Sequence, residues 1–254
     1  MSEPDDVSRG LPATSWAVLG MLTFGEELTG NDLKKWADWS VGFFYWSPSI
    51  SQVYAELKKL ESIGFVESRV VSEPGVRGKR LYSITQSGTD AVRTWSREAP
   101  VEVPVLKHGV MLRLWMGHLN EPERLKALVE AHIANVEEQI RRAKLHADHA
   151  ENEPAWSFPV MTLRWSERYF RAEIELAREL LDDIDRATAE FANVAEHDRL
   201  GSPLPSTPGK WKNVEEYVLA LEQAGLTGNG SSICVRPRLR SACCAADDDV
   251  AKSE

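Results

Sequence analysis

Hydrophobic positions along this chain alternate between two periods, and the order of those periods carries most of the information. Trp16, Leu19 and Leu22 or Thr23 recur at helical spacing in LPATSWAVLGMLTFG, with Gly25 as a stop, and predict a buried scaffold helix. A second helix is marked at its start by Thr29, with Asp32 three residues later as in a capping box and Leu28 and Leu33 placed as a hydrophobic staple. A third follows the linker SVGFFY, with Ser47 as the expected N-cap, Pro48 at the first helical position and Gly64 at the end. Its Ile50, Val53, Leu57 and Leu60 share one face. The period then changes to two. Phe65 to Val71 and Arg80 to Ile84 read as strands of a hairpin joined by PGVRGK, and Thr85 caps a further helix that turns Ala91, Val92 and Trp95 back onto the domain.

A helix followed directly by a basic-tipped hairpin is the DNA-reading half of a winged helix-turn-helix, where the helix enters the major groove and the hairpin grips the backbone. The polar side of the third helix offers Ser49, Gln52, Tyr54, Lys58 and Lys59, a mixture suited to base edges and phosphates. Arg77, Lys79 and Arg80 form the expected wing. Taken alone, such a helix face is more often merely solvated, and Tyr54 is equally a candidate for partial burial of its ring. The adjacent hairpin is what favours DNA.

After the segment PVEVPV, three further helices are expected: a short apolar one in LKHGVMLRLWMGHL, a long one from residue 121, and another over residues 160 to 195. Leu125, Leu128, Val129, Ile133, Val136, Ile140 and Ala143 form a stripe on the first long helix. Leu163, Tyr169 or Phe170, Ile174, Ala177, Leu181 and Ile184 form another on the second. Narrow apolar seams of this kind call for a partner surface, which an intertwined dimer supplies, with Leu125, Val129, Ile133, Val136 and Ile140 as its core. The resulting division is a disordered N-terminus over 1–10, a winged-helix domain over 11–99, a helical dimerisation domain over 100–200, and a linker with a mostly disordered tail over 201–254. The fold class is mainly α with one small β-hairpin.

Composition narrows the function. With 254 residues and 43% hydrophobic content the chain can bury a core, and no run approaches the roughly 18 apolar residues of a membrane helix. The opening MSEPDDVSRG is acidic where a signal peptide is basic then apolar, so a cytoplasmic protein is expected. A net charge of −9 argues against indiscriminate coating of nucleic acid, yet residues 11 to 99 carry ten basic and ten acidic side chains, leaving room for a local basic face. Metal and cofactor chemistry find little support. His146 and His149 around Asp148 read as a solvated helix end, and Asp182, Asp183 and Asp185 point in different directions at helical spacing. Cys234, Cys243 and Cys244 all fall in the tail. No phosphate loop, HExxH or G-x-S-x-G elbow is present, so an enzyme is not expected and no cofactor is called for.

Three motifs in order, WAVLGMLTFGEELTGNDLKKW, SVGFFYWSPSISQVYAELKKLESIGFVES and GKRLYSITQSG with Trp95 behind it, resemble the PadR family of bacterial transcriptional regulators, in its longer form with a helical C-terminal domain. The resemblance covers roughly residues 11 to 190. It implies homodimerisation, a double-stranded operator as partner, repression, and release by a small aromatic or drug-like effector. The aromatic residues of both halves make Trp16 and Trp115 the candidates for that effector site. The alternative from another class is a winged-helix module that binds protein and has lost DNA binding.

Overall fold

A computed structural model describes residues 10–72, 78–199, 203–207, 209 and 212–223. Helices α1 (Ala13–Leu22), α2 (Gly30–Trp39) and α3 (Ile50–Ser62) precede strands β1 (Val66–Val71) and β2 (Lys79–Ile84), and α4 (Gln86–Glu98) follows. Then come α5 (Gly109–Trp115), α6 (Pro122–Ala150) and α7 (Ser157–Phe191), and after them α8 (Lys212–Gln223). The strands pair antiparallel from Val66 with Ile84 to Val71 with Lys79. Residues up to Asn193 make one compact unit, and α8 belongs to a second that begins at Val194.

Local chemistry explains most of the boundaries. Thr29 and Asp32 close a reciprocal capping box at the start of α2, the carboxylate accepting the Thr29 N–H at 3.1 Å and the Thr29 hydroxyl accepting the Asp32 N–H at 3.2 Å. Thr85 caps α4 by accepting the N–H of Gly88 at 3.1 Å. Gly25 and Gly64 end their helices at φ 78°, where a side chain is disfavoured. The third helix departs from expectation. It starts two residues later, with Ser49 as N-cap in a box with Gln52, so Ile50 opens the helix and is exposed. Ser47 is drawn elsewhere: its hydroxyl donates to Asp38 at 2.5 Å and accepts from Lys34 at 3.1 Å, which ties the linker to α2.

The winged-helix core gathers Val18, Leu19 and Leu22 of α1, Leu33 of α2, and Val53, Leu57 and Leu60 of α3, all fully buried, under Phe65, Val66 and Tyr82 of the hairpin. Leu28 adds a bridge to Tyr82 that joins the start of α2 to β2. Gly88 has no room for more than hydrogen, since a Cβ there would lie 2.2 Å from the Phe65 carbonyl. That contact seats α4 directly on the start of the hairpin.

The long helices meet within the chain. Leu125 and Val129 of α6 are buried with Ala177 and Ile184 of α7, and Ala143 and Ala147 with Leu163. Lys126 pairs with Asp185 at 2.5 Å and Arg164 with Asp148 at 2.6 Å across the same seam. The stripes therefore do not both await a second chain. Of the five residues expected at a dimer core, Leu125, Val129 and Val136 are buried inside one chain, and Ile133 and Ile140 are partly exposed. The second long helix also begins earlier than expected, at Ser157 instead of residue 160. Phe43 links the two halves of the unit, packing on Ala143, Ala147 and Leu163 with the Arg142 guanidinium 5.5 Å from its ring centre.

Candidate nucleic-acid interface and aromatic cavity

The face of α3 opposite Val53, Leu57 and Leu60 is exposed and carries Gln52, Tyr54, Lys58 and Lys59, with Ser49 at its N-terminus. Two of these side chains are engaged in holding the helix. The Gln52 side-chain oxygen accepts the Ser49 N–H at 2.8 Å, and the Ser49 hydroxyl accepts the Gln52 N–H at 3.3 Å. The Gln52 amide nitrogen is left to donate outward. Tyr54 is 43% exposed, and its ring lies where a Cβ on Gly30 would be, 2.6 Å from the nearest ring carbon. Its ring thus packs on the start of α2 while part of its surface stays wet, which combines the two readings considered for it.

In the hairpin, Lys79 and Arg80 are exposed at the start of β2. Arg77 lies outside the described residues. Arg80 sits 3.8 Å from Glu61, a solvent-facing pair that phosphate can displace. Arg69 is committed to Glu27 through two of its guanidinium nitrogens, Nε and Nη2. A residue that the pattern alone did not single out is Lys35 of α2, which is exposed. The Asp32 carboxyl is held below its ordinary pKa first by the Thr29 hydroxyl, with Lys35 and Lys79 adding positive potential. Lys35 thereby joins the wing lysine on the side where α2 begins.

A cavity of about 980 Å³ opens beside this domain, between α1, the end of α2, the end of α4 and the start of α7. Its wall includes Trp16, Phe24, Trp36, Tyr45, Trp95 and Phe158. Trp16 is buried and stacks on Trp95 with ring centres 5.1 Å apart and planes 10° from parallel, and Trp36 stacks on Trp156 at 5.5 Å. Glu98 and Glu102 are the only charged residues on the wall among those described. The size suits a drug-sized molecule. Of the two effector candidates the cavity includes Trp16 and not Trp115, which stands 82% exposed on α5. Trp95 and Phe158 were missed because their approach to Trp16 depends on how α4 and α7 pack, not on any local spacing.

The remaining chemical candidates do not converge. His146 faces Trp39 and Phe43, with ring centres 6.1 and 5.9 Å away, while His149 is exposed and Asp148 bonds Lys144 and Arg164. Asp183 pairs with Arg186 and Asp185 with Lys126. Cys234, Cys243 and Cys244, and most of the expected tail, lie outside the described residues. Among the described residues no helix is long and apolar enough to cross a membrane.

Helix, hairpin and helical extension in this order define a winged helix-turn-helix protein of mainly α class. No protein-family model matches the chain. A curated relative, the negative transcriptional regulator PadR of Bacillus subtilis, is 36% identical over 109 residues, and the match spans 42% of this chain but only 59% of the relative's length. Among solved structures, Bacillus subtilis PadR in complex with operator DNA has a TM-score of 0.59 at 21% identity, covering 68% of this chain and 99% of that one. The same protein in complex with p-coumaric acid gives 0.53 at 21% identity with the same coverage. A PadR-like transcriptional regulator from Bacillus cereus gives 0.57 at 22%, covering 68% and 98%. The chain is thus similar to PadR in sequence over part of its length, and to the PadR structures in fold.

Proposed function

We propose that this protein is a sequence-specific DNA-binding transcriptional regulator of the PadR type, acting as a homodimeric repressor that a planar aromatic ligand releases. The observation that carries the reading is the exposed polar face of α3 set beside an exposed basic hairpin. Basic side chains of the wing, with Lys58 and Lys59, supply phosphate contacts and most of the affinity, and the start of α3 supplies the choice of sequence. Residues 11–99 are the DNA-reading part and 100–200 the dimerisation part. Because the long stripes are largely used within the chain, the partner surface falls on apolar groups still in water: Leu112, Trp115 and Leu119 around α5, and Phe158, Met161 and Trp165 on α7. A second copy covering them sets two α3 helices on a two-fold axis, which fits a palindromic operator.

The cavity supplies the means of release. It touches α1, α2 and α4 of the DNA-reading part and α7 of the helical part, so a ligand that fits it better in one arrangement of these elements shifts the whole. Its aromatic wall, with two carboxylates and no opposing cation among the described residues, favours neutral or cationic planar molecules over anionic ones. A mobility-shift titration on DNA from upstream of the protein's own gene, with random DNA of equal length as control, tests the central reading. A specific complex is expected. Equal binding to both DNAs overturns sequence specificity, and no complex with either leaves the protein-interaction module. Sedimentation of the full chain tests the dimer separately.

A further inference from the structure

One cluster of metal-binding side chains takes no part in the DNA face or the cavity. His108 precedes α5, His132 lies on α6 and Glu173 on α7, so three separate elements meet here. A single carboxylate oxygen of Glu173 lies 2.7 Å from Nε2 of His108 and 2.8 Å from Nε2 of His132. The two rings stand 4.8 Å apart, and the side chains of His108, His132 and Glu173 are 12, 20 and 14% exposed. Among the described residues this is the one place where three such groups converge. Two imidazoles competing for one carboxylate oxygen, in a site shielded but still reachable from water, form a donor set that a cation can satisfy all at once.

We propose that His108, His132 and Glu173 form a binding site for a late first-row divalent cation such as Zn²⁺. Two imidazole nitrogens and one carboxylate oxygen are the borderline donors such ions select, and water completes the coordination. The ion would tie the end of the 100–108 connection to both long helices, a linkage that hydrogen bonds alone make weakly. Coordination also has a local consequence. The His108 Nδ1 accepts the Met111 N–H at 3.1 Å, so the ring carries its proton on Nε2 and donates it to Glu173. When Nε2 binds the cation, that proton passes through solvent to Nδ1, the ring stays neutral, and Met111 loses its acceptor. Metal loading is therefore coupled to the first turn of α5.

The test uses the full chain with Cys234, Cys243 and Cys244 changed to Ser, which removes competing thiolates. After EDTA treatment and dialysis, Zn²⁺ is titrated by calorimetry and Co²⁺ by visible absorption. About one equivalent per chain should bind, the Co²⁺ spectrum should show d–d bands of a nitrogen and oxygen site, and hydrogen exchange at Met111 should quicken on loading. His132→Ala should abolish binding. Glu173→Gln keeps an oxygen to accept both ring protons and so preserves the fold, yet should weaken binding about 100-fold or more. No stoichiometric uptake, or uptake that is equal in the Glu173→Gln protein, overturns the proposal and leaves the cluster as a hydrogen-bonded pin. Should His132→Ala fail to fold, the Glu173→Gln comparison decides alone.

Discussion

Gln52 accepts the backbone N–H of Ser49 at 2.8 Å, so the side chain best placed to read a base also caps the helix that presents it. Bidentate recognition of adenine needs both the oxygen and the nitrogen of an amide, and here the oxygen is engaged. Gln52 can donate one hydrogen bond to a base edge without opening the cap. Gln52→Ala should then cost about 1 kcal/mol on operator DNA and almost nothing on random DNA, with a parallel loss of similar size in unfolding free energy from the broken box. Titrations on both DNAs, beside urea unfolding of the same proteins, separate the effects. An operator loss of the full bidentate size, up to about 3 kcal/mol, would show that the cap opens on DNA.

The wing makes a different prediction, since phosphate contacts carry no sequence information. Lys79→Ala should weaken binding to operator and random DNA alike and lower the slope of log K against log salt by roughly one unit. Arg80→Ala should do the same. Glu61→Gln releases Arg80 from its pair and should strengthen binding to both DNAs slightly. Fluorescence anisotropy across a salt series reads all three. A Lys79→Ala loss confined to operator would place this lysine on a base.

Two glycines differ in what stands against them. A Cβ on Gly30 would meet the Tyr54 ring at 2.6 Å, and that ring can swing into solvent, so Gly30→Ala should cost about 1 kcal/mol of stability and disturb DNA binding through Tyr54. Adding Tyr54→Ala should remove most of the Gly30→Ala penalty, a coupling that a double-mutant cycle measures. Gly88→Ala meets the Phe65 carbonyl of the backbone at 2.2 Å, which cannot move aside alone. It should destabilise by about 3 kcal/mol with no rescue from any change at Tyr54.

What the sequence made legible was chemistry between near neighbours. The Thr29–Asp32 box, the Thr85 cap and the stops at Gly25 and Gly64 each depend on residues within one turn, and all are found where the pattern put them. Local pattern puts the cap at Ser47, whose decisive partner, Asp38, is a tertiary contact from another helix that no local spacing announces. The two stripes were visible, but not that they face each other, since a seam looks the same whether its partner lies on the same chain or a second one. His108, His132 and Glu173 lie too far apart in sequence for any spacing rule, the bond from His108 to Glu173 spanning 65 residues.

His146 makes stability depend on pH. Burial beside Trp39 and Phe43, followed by the positive potential of Arg142 and His149, holds its pKa below the ordinary 6.5. The unfolded chain therefore takes up a proton that the folded chain resists. Stability is intact above about 6.5 and falls as the pH drops from there through the depressed folded value, below which the loss is complete. His146→Phe should remove this contribution, so its urea midpoint should fall less than that of the parent between about pH 7.5 and about pH 5.5. Equal falls in the two proteins would mean that His146 titrates normally.

Trp16 and Trp115 now stand apart as probes of the aromatic cavity. Trp16 lines it in a stack with Trp95, and Trp115 is 82% exposed outside it. A planar cationic dye should quench tryptophan emission with micromolar affinity and lower operator affinity over the same range. Trp16→Leu should weaken both effects, whereas Trp115→Leu should leave the quenching of the cavity tryptophans in place. The two carboxylates on the wall decide the charge preference. With Glu98 and Glu102 the only charged groups there among the described residues, p-coumarate should bind more weakly than the cation, and Glu98→Gln should narrow the gap by weakening the cation and helping the anion. Quenching that follows Trp115 and not Trp16 would move the ligand from this cavity to the surface around α5, and a preference for the anion that survives Glu98→Gln would show that the carboxylates do not select the ligand.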